Sequence, residues 1–306
     1  MKQPTVVIVG SSGTVGLDLA QRLHAIDGLT VLGLSRDTTS IHRQEILGRA
    51  DLAILCLPEA AAIEFTKEAA QYPHLRILDA SPAHRTHPDW VYGLPELDAN
   101  HANTIAAAPL VANPGCYATG AVLLLRPLMQ ALARHGIEEQ PDIAITAIGG
   151  ITSGGKKMIA QAENEPFGYR LFGLNQAHRH IPEIKAFANL NEEPIFMPAV
   201  VAHQRGTMVQ IPLTTRQLGL RVDEVVAALQ DAYADTPSVQ VHVGEGDVRF
   251  LDGADLALQD GARVDVLTDG AKRRLVLVVR FDNLGKGAAG AAEQNVRLML
   301  GLTNHD

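Results

Sequence analysis

The stretch Thr5-Val-Val-Ile-Val-Gly10-Ser-Ser-Gly13-Thr-Val-Gly16 sets a short apolar run against a glycine-spaced turn. Residues 5–10 are apolar and β-branched without interruption, the composition of a strand covered on both faces in a parallel sheet. From residue 14 the periodicity changes, and Val15, Leu19, Leu23 and Ile26 fall on one helical stripe. A strand, a G-x-x-G-x-x-G turn and a helix, in that order, begin a βαβ unit. The glycines let the backbone approach a pyrophosphate, and the free N–H groups and dipole of the helix end stabilise its charge. Glycine-rich turns also occur without ligands, and it is the place of this one at the head of a βαβ unit that favours a nucleotide. Gly10, Ser12, Gly13, Thr14, Val15 and Gly16 are the candidate cofactor-binding residues.

Outward from this turn, a second strand is expected at 30–35, with further apolar runs at 52–57, 75–78 and 104–111 separated by helical or polar stretches. Strand and helix alternating in this way make a doubly wound, Rossmann-type α/β domain with a parallel sheet. The second strand ends Leu32-Gly-Leu-Ser35-Arg36, a hydroxyl and a guanidinium where an NAD site usually carries a carboxylate. Arginine suits a 2′-phosphate by charge and fork geometry, so Ser35 and Arg36 point to NADP(H). An exposed loop arginine is the alternative.

Beyond about residue 140 the texture changes. Strand-like runs at 142–148, 207–213, 239–243, 248–250 and 275–281 are interrupted by helical patterns only at 181–190 and 222–234. An α+β domain with a largely antiparallel sheet fits them. The closing stretch, 287–301, is helical again. We expect an NADP-binding domain over 1–113 and 286–306, and a catalytic, substrate-binding and oligomerisation domain over 114–285.

Composition sets the outer bounds. A chain of 306 residues suits two cores, and 46% hydrophobic with 20% charged residues is ordinary globular usage. A net charge of -8 argues against nucleic acid or an anionic membrane as partner, though a few local cations can still hold an anionic substrate. No apolar run approaches the roughly 20 residues of a membrane span, and the N-terminus lacks a signal-peptide shape, so a cytoplasmic protein is expected. Two cysteines, Cys56 and Cys116, support neither a disulfide framework nor a cysteine-based zinc site, and no metal is expected.

The two thiols differ in context. In Asn113-Pro-Gly-Cys116-Tyr-Ala-Thr-Gly120, Pro-Gly breaks the preceding strand and a helical run through Val122, Leu125, Leu128, Met129 and Leu132 starts at once. Cys116 therefore sits at or near a helix N-terminus, where dipole and unpaired N–H groups favour a thiolate. Cys56 lies within an apolar strand and reads as an inert core thiol. An activated cysteine beside a nicotinamide can hold an acyl group as a thioester that hydride reduces.

Together with Asn113-Pro-Gly-Cys116-Tyr, four further stretches carry a resemblance: Asp79-Ala-Ser81-Pro-Ala-His84-Arg85, Tyr92-Gly-Leu-Pro-Glu96-Leu, Gly149-Gly-Ile-Thr-Ser-Gly-Gly155-Lys156 and His178-Arg179-His180-Ile-Pro-Glu183. With Asn283-Leu-Gly-Lys286-Gly-Ala-Ala-Gly290 at the end, their order and spacing resemble the N-acetyl-gamma-glutamyl-phosphate reductase family, a relative of aspartate-semialdehyde dehydrogenase, in its shorter subclass. The match runs along nearly the whole chain. Longer members carry Pro-His-Leu where this chain has Pro198-Ala199-Val200, so no role passes to position 199, and any part played by His203 stays open.

The resemblance implies reduction of N-acetyl-gamma-glutamyl phosphate in arginine biosynthesis, with Cys116 as nucleophile and a histidine partner at His178-Arg179-His180. Histidine has the pKa to take the thiol proton and to protonate the oxyanion. If this stretch is extended, the two rings cannot serve alike, and His180, just before a helix, is favoured over His178. Arg85, Lys156 and Arg179 are candidate cations for the acyl phosphate, with Asn113 beside the substrate and Ser81 beside the cofactor. Asn283 and Lys286 resemble the family's nicotinamide-side loop. A homo-oligomer, dimer or tetramer, is expected. Reduction of a related aminoadipyl or aspartyl phosphate is a rival reading. So is an NADP-binding regulator without catalysis, against which Cys116 and the two histidines count.

Overall fold

The computed structural model describes residues 3–35, 37–244 and 248–302. It divides into two compact units, one of Met1–Pro95, Ala99–Pro114 and Ala288–Asp306, the other of Glu96–Asp98 and Gly115–Gly287.

The first unit opens with β1 (Thr5–Val9), α1 (Thr14–His24), β2 (Thr30–Leu34), α2 (Ser40–Arg49), β3 (Leu52–Leu55), α3 (Glu59–Ala69) and β4 (Arg76–Asp79). It continues through β5 (Val91–Tyr92), α4 (His101–Ala107) and β6 (Leu110–Ala112). All six strands run parallel in the order β2-β1-β3-β4-β6-β5. Every residue of β1 and β3 is buried, which explains their unbroken apolar sequences. Successive side chains serve opposite layers. Val7 and Val9 join a core with Leu47, Ala53, Leu55 and Phe65, whereas Val6 and Ile8 join Leu19, Leu23, Leu52 and Ile54. The apolar run 104–111, expected as one strand, is split. Thr104 to Ala107 finish α4 and only Leu110–Ala112 form β6, because alanines favour helix and Pro109 ends it.

The second unit holds α5 (Cys116–Arg134), β7 (Ala144–Gly150), α6 (Gly155–Asn164), β8 (Tyr169–Leu171), α7 (His180–Ala188), β9 (Ile195–Val201) and β10 (Thr207–Thr214). After them come α8 (Thr215–Leu218), α9 (Val222–Tyr233), β11 (Val239–Gly244), β12 (Ala262–Thr268) and β13 (Arg274–Phe281). The strand order is β11-β12-β13-β10-β7-β9-β8. The β11–β12 and β7–β9 pairs are parallel and the remaining pairs antiparallel, so the sheet is mixed but largely antiparallel. Residues 248–250, expected as a strand, form none. β8, β9 and β12 are the strands of this unit that the apolar runs do not reveal; the last two have a sequence reason. Pro198 interrupts one, and Arg263 and Asp265 alternate with valines in the other.

Helix α5 is the spine of this unit. It is long and apolar enough to cross a bilayer by length and composition, at mean hydropathy 1.3, yet most of it is buried inside the protein. It lies close on the sheet at Gly120, where an added Cβ would come within 2.7 Å of Val209 and 3.0 Å of Val279 and Phe281.

The closing helix α10 (Gly290–Leu300) follows a π-helical turn at Gly285–Ala289 and packs on α1 and α4 of the first unit. One side chain ties these helices to the sheet. The Arg76 guanidinium donates to the carbonyls of Ala106 at 2.7 Å and Ala108 at 2.6 Å, and to that of Met299. It thus caps the C-terminal ends of α4 and α10 at once, where the dipoles favour a cation. Burial lowers its pKa from the ordinary arginine value. Arg76→Met leaves these carbonyls without their donor and should destabilise the protein by about 2–3 kcal/mol, read as a lower midpoint in denaturant at unchanged slope.

Candidate active site

In the first unit, the turn after β1 is shaped by two glycines. Gly10 has φ +85°, and a Cβ there would lie 2.5 Å from the Cys56 carbonyl oxygen. A Cβ at Gly16 would lie 2.7 Å from the carbonyl of Gly10. Helix α1 starts at Thr14 with Gly13 as N-cap, no side-chain cap and no acidic residue in its first turn. Its first N–H groups are therefore available to an anion, and the cradle fits the pyrophosphate of a dinucleotide. Ser12 is exposed beside it, and Thr14 and Val15 are half-buried. Ser35, exposed after β2, receives the Asp37 N–H on its hydroxyl at 3.3 Å. Arg36 lies outside the described residues.

Ser81, Arg85 and Asn113 are buried, and their polar atoms hold strand ends together. Asp79, fully buried at the end of β4, accepts from Ser81 N–H and Oγ, both at 2.8 Å, and pairs with His84 Nδ1 at 2.6 Å. Arg85 Nε donates to the Asn113 carbonyl at 3.0 Å. The Asn113 amide donates to the Ala288 carbonyl at 3.1 Å and accepts from Asn295 at 2.9 Å. These contacts fix the three side chains in place at the ends of β4 and β6.

In the second unit, Cys116 is the first residue of α5 and half-buried; its N-cap Gly115 brings no side-chain cap. The Gly115 N–H donates to the buried Glu183 carboxylate at 2.8 Å. Behind Cys116, a Cβ at Gly287 would come within 2.9 Å of the cysteine Cβ, so backbone packs directly on it. The next residue, Tyr117, donates its hydroxyl to the Ala199 carbonyl at 2.8 Å. Burial first, and the neighbouring Cys116 charge second, raise the Tyr117 pKa, so it stays a phenol.

His180 is the first residue of α7 and 4% exposed, with its ring edge-on to Tyr117 at 5.9 Å between centroids. The stretch 178–180 turns rather than running extended. Arg179 has helical angles, φ -57° and ψ -18°, and the His178 and His180 rings meet edge to face at 4.6 Å. Arg179 itself is exposed, as is Lys156 on α6. His203 is exposed too, its Nδ1 2.7 Å from the Arg205 carbonyl. The Gly149-Gly150 pair admits the protein's own atoms. A Cβ at Gly149 would lie 2.6 Å from the Tyr117 hydroxyl, and one at Gly150 as close to the Gln204 carbonyl.

Asn283 and Lys286, expected at the nicotinamide, are held by partners within this unit. Asn283 accepts from the Gly206 N–H at 2.9 Å and donates to Thr152 at 2.6 Å. Lys286, 1% exposed, is ion-paired with Glu96, which also accepts from Ser238 at 2.8 Å. Sequence reading gave no role to Glu183 or Glu96, although both stood in quoted motifs. Buried glutamates are uncommon, but nothing local marks them as buried. Among the described residues, no cluster of three His, Cys, Asp or Glu is placed to hold a metal.

The thiols are as different as their contexts. Burial first, and the Asp79 charge second, push Cys56 up to about 12, so it stays protonated. Cys116 has the uncapped helix end, which favours the thiolate. At Glu96, burial raises the carboxyl, but the Lys286 ammonium and the hydrogen bonds from Lys286 and Ser238 outweigh it and hold it below the usual range. A depressed folded pKa stabilises above the unfolded value, about 4.3, and that contribution is lost as pH falls through the folded pKa. Stability measured against pH should therefore fall below about pH 4 less steeply in a Glu96→Gln/Lys286→Met double variant than in the parent.

Comparison with known proteins agrees with this architecture. The semialdehyde dehydrogenase NAD binding domain matches residues 34–105, and the semialdehyde dehydrogenase dimerisation domain matches residues 116–283. A Burkholderia lata protein named N-acetyl-gamma-glutamyl-phosphate reductase is 40% identical over 314 residues, 98% of each chain. One of the same name from Brucella anthropi is 39% identical, covering 98% of this chain and 99% of its own. Among solved structures, aspartate semialdehyde dehydrogenase II of Vibrio cholerae has a TM-score of 0.73 at 18% identity, over 98% of this chain and 99% of its own. Aspartate semialdehyde dehydrogenase of Candida albicans, solved with NADP, has a TM-score of 0.69 at 15% identity, over 97% of this chain and 98% of its own. The last two share the fold. With named relatives near 40% identity along almost its full length, the chain belongs to the N-acetyl-gamma-glutamyl-phosphate reductase family.

Proposed function

We propose that this protein reduces N-acetyl-gamma-glutamyl phosphate to N-acetylglutamate semialdehyde and phosphate, using NADPH, as a step of arginine biosynthesis in the cytoplasm. The observation that carries this reading is Cys116 as first residue of a long helix without a side-chain cap, with the buried His180 ring beside its neighbour Tyr117. Family membership supplies the substrate. The Gly10–Gly16 cradle would hold the pyrophosphate, and Ser35-Arg36 favour the 2′-phosphate of NADP(H) by charge.

The Cys116 thiolate attacks the acyl carbon, the carbon–oxygen bond to phosphate breaks, and a thioester forms. The exposed cations Arg179, next to His180, and Lys156 are the groups we assign to the departing phosphate. Bound NADPH supplies the hydride that makes the thioester carbon tetrahedral. His180 gives a proton to the oxygen of the resulting thiohemiacetal and takes it back as the carbon–sulfur bond breaks, releasing aldehyde and restoring the thiolate. Assembly as a homo-oligomer, dimer or tetramer, is supported by the exposed Tyr169 and Leu171 on β8 and Ile195 and Met197 on β9, which share the sheet face opposite α5.

The test is the reverse reaction, with N-acetylglutamate semialdehyde, phosphate and NADP. Cys116→Ser should keep its fold and its NADP binding and lose turnover by about a thousandfold or more. Mass spectrometry after mixing the parent with substrate should find the acyl adduct on Cys116 and none on Cys56. A serine variant with substantial activity rules out the thioester. His180→Asn should lower kcat by about 10²–10⁴-fold with little change in cofactor affinity.

A further inference from the structure

His178 lies two residues before α7, and the chain turns sharply there. Its carbonyl accepts the Ile181 N–H at 2.9 Å, and its ring Nδ1 accepts the His180 N–H at 3.2 Å. A backbone N–H can only donate, so Nδ1 carries a lone pair and the ring proton sits on Nε2. A protonated ring would aim a second N–H at the first and forfeit this bond. The ring is also wedged between Phe196 at 5.1 Å, Phe172 at 5.7 Å and the His180 ring at 4.6 Å. It thus holds His180 twice, by backbone and by ring.

We propose that His178 is a positioning residue, a neutral imidazole that fixes the His180 backbone through Nδ1 and its ring by edge contact, leaving proton transfer to His180. This rests on the reading of His180 as the acid–base group. One turn further along α7, Glu183 bonds the Gly115 N–H next to Cys116, so the two ends of the same turn set the approach of imidazole to thiol. The ionisable groups on the elements that meet here are Cys116 and Tyr117 at the start of α5, and His178, Arg179, His180 and Glu183 around the start of α7.

Two amide side chains separate positioning from proton transfer, because asparagine places its oxygen where Nδ1 stands and glutamine places its amide where Nε2 stands. Neither can carry a proton between groups. In the reverse reaction, His178→Asn should keep kcat within about threefold of the parent and leave its pH profile unmoved. His178→Gln and His178→Phe, which lose the acceptor at Nδ1, should lower kcat about tenfold or more. They should also shift the limb of the pH profile that the imidazole governs, with KM for NADP unchanged. Histidine ring resonances of each full-length variant give the His180 titration directly, and circular dichroism checks the fold. The proposal is overturned if His178→Asn loses as much turnover as His180→Asn, since His178 would then handle the proton itself. It is equally overturned if His178→Gln and His178→Phe match the parent in rate and profile. A silent His180→Asn instead removes the underlying acid–base assignment and is read independently of the His178 variants.

Discussion

The hydrogen bond from the Gly115 N–H to the Glu183 carboxylate organises the chemistry of the second unit. A helix that begins on a cysteine and lacks a side-chain cap exposes its first N–H groups, which favours a thiolate but leaves that end unanchored. Glu183 anchors the residue just before it. The carboxylate is 1% exposed, and a buried charge persists only where hydrogen bonds satisfy it. The same bond fixes α7 against the head of α5. His180 begins α7, so nucleophile and imidazole are placed by one interaction that belongs to neither of them.

The segment packed on Cys116 is held by a buried charge pair. Lys286 and Glu96 meet across 190 residues of sequence, and between them hold the segment whose Gly287 packs on the cysteine. Asn283 adds two bonds to the same segment. A side chain at 287 would displace Cys116, and an unpaired charge at 96 or 286 would be costly at that depth. Rigidity near the thiol is thus obtained from polar groups paired with one another.

In the first unit the corresponding role falls to Asp79 and Arg76, at the two ends of one short strand. Asp79 gathers Ser81 and His84 at the end of β4, where loops of a parallel sheet approach a nucleotide. Arg76, at the other end, caps two helices. After β1, the start of α1 has no side-chain cap and keeps its N–H groups available.

What the sequence by itself determined was whatever depends on neighbours along the chain. The β-branched run, the glycines at 10, 13 and 16, and the Pro-Gly before Cys116 act within a turn of themselves, and the structure places a strand, a turn and a helix start at those positions. The parallel first sheet and the largely antiparallel second one were legible for the same reason, since alternation of elements is a local pattern. The tertiary structure alone decided which partners the polar side chains take. Arg85 is a candidate ligand contact as a cation, and Asn283 and Lys286 by resemblance to a family loop, but the residues they and Asn113 bond within the protein lie far away in sequence. Strand β9 was hidden by Pro198, a residue that argues against an interior strand, although β9 pairs on both sides. The turn at Arg179 and the pairing of Glu183 with Gly115 were hidden as well. A hydrogen bond is a property of two groups in space, and one chain of letters gives only the first of them.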